Sequence, residues 1–156
     1  GPGCLSFPSN VSNQSIEQFE NQVPLIVTEK AFVPDTPGVG KYCGGPAQRL
    51  SFLSVANSPI TMTIRHERVI YPPRGLLGGE SGTTGLDLVN GEKIPAKAQV
   101  MLEPNDTVTF QTPSGGGMFS SDQRDPECIE ADLISGILTS DAALRIYGYS
   151  TTKTEK

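Results

Sequence analysis

Ile60-Thr61-Met62-Thr63-Ile64-Arg65 alternates apolar and polar residues without a break, the period of two that sets one face of a β-strand on a core and the other in water. Upstream, Asn57-Ser58-Pro59 turns the chain. Before it, Leu50 and Phe52 lie on one face and Leu53 and Val55 on the other, as in a strand buried between layers. Further back, Ile16 and Phe19 are three apart and fit one helical turn, but Pro24 would break a helix carried through it. Residues 23–32 therefore read as the first strand. Downstream, Asn90-Gly91 marks a hairpin, because both residues tolerate the positive φ of a type I′ turn. It joins residues 86–89 to 92–94. A final pair of strands, 99–102 and 107–111, is linked by the turn-forming Pro104-Asn105-Asp106.

Between these runs lie three glycine-dense loops: Lys41-Tyr42-Cys43-Gly44-Gly45, Tyr71-Pro72-Pro73-Arg74-Gly75-Leu76-Leu77-Gly78-Gly79 and Thr112-Pro113-Ser114-Gly115-Gly116-Gly117. Glycine clusters cost conformational entropy and are kept where backbone must approach backbone or ligand closely. The tail changes character. Asp125-Pro126 places an N-cap before a proline at the first helical position, Glu127 and Glu130 suit the positive end of the dipole, and Gly136 fits a left-handed closure. Ile129 and Leu133, four apart, are expected to face the sheet. Thr139 or Ser140 caps a second short helix through Ala142, Ala143, Leu144 and Tyr147, closed by Gly148. The expected fold is mainly β: a compact barrel or sandwich-like domain with one or two short C-terminal helices.

The totals agree. With 156 residues the chain has the size of one domain, and its 17 glycines and 13 prolines favour turns over long helices. Twelve basic residues against 17 acidic ones give a net charge of −5, with no basic stripe to displace phosphate counterions, so nucleic acid is not expected as a partner. Cys4, Cys43 and Cys128 are far apart and His66 is the one histidine, which argues against a zinc site or a disulfide framework. No apolar run is long enough to span a bilayer, and no signal peptide is evident. Neither a membrane role nor export is expected, and the cytoplasm is the expected location, so the Asn10, Asn13 and Asn105 glycosylation patterns are discounted. Gly1-Pro2-Gly3 resembles the scar of a cleaved tag, residues 1–15 read as a flexible lead-in and 151–156 as a frayed tail.

Few residues invite chemistry. His66, within Arg65-His66-Glu67-Arg68, has the composition of an oriented general base, but a solvated strand end or polar interface explains it better. Arg74, stiffened by Pro72 and Pro73, is suited to pair with a carboxylate or phosphate, and a salt bridge to a neighbouring loop or chain accounts for it equally. Gly115-Gly116-Gly117 lacks the Lys-Ser or Lys-Thr of a phosphate loop and is better suited to a crossing of backbones or to close approach of a partner. Asp122, Asp125, Glu127 and Glu130 are explained by helix capping. Cys43 beside Lys41 is read as a small buried hydrophobe before a reactive thiol.

From about residue 9 to 149 the order of signals resembles the C-terminal region of the hydantoinase B/oxoprolinase family. The matching motifs are Ser15-Ile16-Glu17 followed by Val23-Pro24-Leu25-Ile26-Val27, the Gly-x-Gly-Lys-Tyr-x-Gly-Gly loop at residues 38–45, the aromatic-Pro-Pro-x-Gly-Leu-x-Gly-Gly loop at 71–79, the Thr-Pro-x-Gly-Gly-Gly loop, and Arg124-Asp125-Pro126-Glu127 with Gly136, Ala142 and Tyr147-Gly148. The resemblance implies that residues 16–150 are the C-terminal β-domain of a B-type component of ATP-dependent enzymes that open 5-oxoproline, hydantoins or lactams, with relatives among ketone carboxylases. It implies further that ATP, Mg and a divalent metal serve the full enzyme and that this stretch binds none of them. No catalytic or metal-binding residue is expected here. The implied partners are a hydantoinase A-type ATP-binding subunit and the remainder of the B-type subunit. Tyr42, Gly44, Gly45, Tyr71, Pro73, Arg74, Gly78, Gly79, Gly115, Gly116 and Gly117 become candidate interface or pocket-wall positions. Cys43, Ser114 and Met118-Phe119 depart from the family pattern, which leaves the substrate class and a purely assembling role open.

Overall fold

The computed structural model describes residues 14–150; the expected lead-in up to residue 13 and the expected tail 151–156 lie outside them, as do Cys4, Asn10 and Asn13. Seven strands follow an initial helix: α1 (Ile16–Gln22), β1 (Leu25–Val33), β2 (Ala47–Ser54), β3 (Ile60–Arg65), β4 (Leu86–Val89), β5 (Glu92–Lys93), β6 (Lys97–Leu102) and β7 (Thr107–Gln111). A 3₁₀ turn (Ser121–Gln123) then leads into α2 (Pro126–Ile134) and α3 (Ser140–Tyr147). The strands form two antiparallel sheets, one of five in the order β1-β2-β7-β4-β5 and one of two, β3-β6, and they do not close into a barrel.

The helix at Ile16 and Phe19 is a real one of two turns, capped by Ser15, whose Oγ accepts from Gln18 N. It is held to the sheet by Glu20, which accepts from Val27 N at 2.7 Å, and by the Phe19 ring, 5.4 Å from that of Phe52. Phe52 in turn meets Phe110 edge-on at 6.1 Å. β2 is central as expected, half-buried along its length and fully buried at both ends, because β1 and β7 flank it. β3 alternates as its sequence dictates, with Ile64 buried and the terminal Arg65 exposed. The hairpin at Asn90-Gly91 has both residues at positive φ, 51° and 81°.

One expected pairing is wrong. β6 and β7 are consecutive but do not pair: β6 lies on β3, while both edges of β7 are occupied, by β2 and β4. The turn chemistry between them is as expected. Asp106 accepts from Glu103 N and Asn90 Nδ2, and these bonds hold its carboxyl below the usual range. The turn is also tied sideways, through Asn105 N to Ser54 O and Ser54 N to Asp106 O. That attachment sends β7 into the large sheet instead of folding it back on β6.

Buried apolar residues come from both sheets and from the helices, Ile64 and Leu102 from the small sheet, Ala47 and Val108 from the large one, Ile129 from α2 and Ala142 and Ala143 from α3. Asp125 caps α2 by accepting from Glu127 N, and Thr139 caps α3 by accepting from Ala142 N. Gly136 and Gly148 take φ of 72° and 62°, the left-handed closures their positions called for. Ile129 is buried and Leu133 half-buried. Among the described residues, no helix is long and apolar enough to cross a membrane.

Candidate functional site

The three glycine loops cross one another. Gly38 N donates to Gly115 O, Gly115 N to Gly45 O, Gly117 N to Glu80 O and Leu76 N to Gly117 O, all between 2.8 and 2.9 Å. The crossings are too tight for a side chain. A Cβ on Gly79 would lie 2.3 Å from Gly117 O, and one on Gly116 2.3 Å from Arg74 O. Ser114 is buried and ties the crossing from inside: its Oγ donates to Thr36 O and accepts from Thr83 N. The amides of Gly115 and Gly117 are committed to neighbouring carbonyls. Arg74 is exposed, and among the described residues no carboxylate reaches it.

Beside the crossing, the Tyr42 loop and the two C-terminal helices enclose a cleft of about 520 Å³. Tyr42 and Gly44 are on its wall, whereas Gly78, Gly79 and the three consecutive glycines are not. Its polar floor is a chain of contacts. Tyr147 Oη lies 3.2 Å from Cys43 Sγ, the Arg124 guanidinium stacks 5.9 Å from the Tyr147 ring and donates to Lys41 O at 3.1 Å, and Arg124 pairs with Asp132. Arg124 is only 7% exposed. Burial alone would lower its pKa, but the field of Cys43, Asp132 and Tyr147 outweighs burial and raises it. Burial, followed by the bond to Cys43, pushes the Tyr147 phenol well above its ordinary range. The floor thus holds a permanent cation under a phenol that stays protonated.

His66 does not end in solvent. Its Nδ1 lies 2.7 Å from Asp87 Oδ1, with the side chains 19% and 1% exposed. Its ring occupies the space that a Cβ on Gly85 would need, 2.6 Å from His66 Cε1. Asp87 was detectable as a carboxylate inside the apolar run Leu86-Asp87-Leu88-Val89, but nothing local names its partner. Arg124 and Asp132 gave less signal, since Arg124 precedes the helix and no helical spacing pairs the two. Among the described residues, no group of three or more His, Cys, Asp or Glu comes together to hold a metal.

Crossed glycine loops on an antiparallel scaffold, with a helical tail closing one cleft, define a mainly β domain. The chain belongs to the hydantoinase B/oxoprolinase family, whose profile matches residues 1–120. It is 34% identical over 124 residues to 5-oxoprolinase of Dictyostelium discoideum, covering 75% of this chain and 10% of that protein. In fold it is similar to an ATP-dependent caprolactamase from Pseudomonas jessenii (TM-score 0.74, 19% identity, 91% of this chain and 26% of that one). An acetone carboxylase in its nucleotide-free state is also similar (TM-score 0.73, 18% identity, 86% and 23%). The chain spans only a tenth to about a quarter of the length of such relatives.

Proposed function

We propose that this chain is the β-domain of the B-type component of an ATP-dependent cyclic-amide hydrolase, supplying scaffold and contacts while nucleotide and metal chemistry lie elsewhere in the enzyme. The observation that carries this is the fate of the most conspicuous loops, where Gly38, Gly44, Gly79, Gly115 and Gly117 donate their amides to loop carbonyls. The 5-oxoprolinase and caprolactamase relatives indicate the reaction class: opening of a cyclic amide by water, driven by ATP hydrolysis. An A-type ATP-binding subunit and the rest of the B-type polypeptide are its partners in the cytoplasm, with ATP, Mg and a divalent metal held outside this domain. Tyr42 and Gly44 then serve as cleft wall, Tyr71, Pro73 and Arg74 as contact surface, and Gly45, Gly78, Gly79 and Gly115 to Gly117 as the crossing that positions both.

Assays with 5-oxoproline, hydantoin and caprolactam test this. The isolated 156 residues are expected to show no ATP-dependent ring opening, and the full parent with its ATP-binding partner to couple ring opening to phosphate release. Turnover by the isolated chain that survives chelation and repurification overturns the proposal. The likeness to acetone carboxylase favours a second reading, a ketone carboxylase component, in which the full complex would depend on bicarbonate.

A further inference from the structure

Met118 is the centre of an apolar patch that borders the cleft at Tyr42. Its backbone bridges Tyr42 on one side and Leu76 on the other, through Tyr42 N to Met118 O at 3.1 Å, Met118 N to Tyr42 O at 2.8 Å and the Leu76 bridge. Phe119 N donates to Leu76 O at 3.0 Å, and the Phe119 ring lies 6.2 Å from that of Tyr42. Leu76, Tyr42 and Phe119 are therefore neighbours, and Leu77 follows Leu76 in the chain. Three of them are open to water: Tyr42 at 54%, Leu76 at 63% and Leu77 at 72%.

Two of the four are also strained. Leu77 and Phe119 take φ of 50° and 60°, the left-handed region that bulky side chains avoid. Strain of this kind persists where surrounding structure enforces it and concentrates at binding surfaces. Here the chain accepts it at two of the four positions and leaves Leu77 exposed. From their fractional exposure the three exposed residues present on the order of 400 Å², the size of the largest apolar patch on a typical monomer, which is often functional. That is about half of the ~800 Å² each partner buries in a stable complex of separate molecules.

We infer that this patch seats the remainder of the same B-type polypeptide. A covalently linked occupant meets the patch at high effective concentration and needs less buried area than a second copy or a separate subunit. Three quarters or more of the length of related proteins lies outside the matched stretch, so the family supplies such an occupant. The inference deepens the contact role proposed above. It rests on family membership and not on which substrate is opened, so loss of the cyclic-amide reading leaves it intact.

The test uses the purified full-length parent polypeptide with photoreactive benzoylphenylalanine in place of Leu77 and, separately, of Tyr42. It is mixed with isotope-labelled copies and irradiated with and without the ATP-binding subunit. Crosslinks from either position to same-copy peptides outside these 156 residues are expected. Crosslinks to the labelled copy, or to the ATP-binding subunit alone, overturn the inference, as does labelling by solvent only or a parent with nothing beyond this domain. Leu77→Gly gives a second readout. It relieves the left-handed strain, so the unfolding midpoint of the 156-residue chain should hold or rise, while that of the full polypeptide falls by several degrees. A full-length midpoint that holds or rises overturns the inference as well.

Discussion

Gly44 and Gly115 meet backbone to backbone: a Cβ on Gly44 would lie 2.0 Å from the Gly115 carbonyl oxygen. The obstacle is main chain tied into neighbouring loops, so it cannot swing aside as a side chain end would. Gly44→Ala should destabilise the domain by about 3 kcal/mol or prevent folding, the upper range for overpacking. Gly91→Ala is the control, because a Cβ there has nothing within 4 Å and only the φ of 81° resists it. It should cost about 1 kcal/mol. Urea unfolding of both variants checks the difference, and equal losses would refute the crossing as the source.

The Arg124 and Asp132 pair predicts an asymmetry. Asp132→Ala leaves a guanidinium that is 7% exposed without its carboxylate and should cost about 3 kcal/mol. Arg124→Met removes the charge, keeps the chain length over Tyr147 and should cost less. Thermal or chemical unfolding of the two variants, side by side, decides the order.

Tyr147 sets an alkaline limit. Its folded pKa is raised above the ordinary value of 10.0, chiefly by burial. The unfolded state thus releases this proton first as pH rises, so the stability it contributes is complete below pH 10 and declines above it. Tyr147→Phe should flatten the alkaline limb of stability against pH. A limb unchanged by the substitution would show that the phenol is not the group responsible.

His66 and Asp87 should behave as a coupled pair. His66→Ala strands a buried carboxylate and should cost about 3 kcal/mol, of which the double variant His66→Ala/Asp87→Ala recovers part. A double-mutant cycle by urea unfolding measures the coupling, and strict additivity would mean that the 2.7 Å contact carries no energy.

The helix caps show how far local reading reaches. Asp125, Thr139, Gly136 and Gly148 act as their types and spacing dictate, because a cap is decided by φ, by one side-chain oxygen and by amides two or three residues away. Asn90-Gly91 is legible for the same reason. The glycine loops are half legible. Their composition demands close approach, but only the structure says that they approach each other. The β6 and β7 pairing fails because the turn between them was read correctly while the edges of β7 were already taken by strands from elsewhere in the chain.

Residue order therefore settles strand period, turn type, helix ends and the family. The assembled chain settles who meets whom: Cys43 with Tyr147 across 104 positions, His66 with Asp87 across 21, Ser114 with Thr36 across 78. The physical reason is range. Backbone sterics and capping bonds act within a few residues, whereas these contacts exist only after long loops have closed at an entropic cost that no local pattern records.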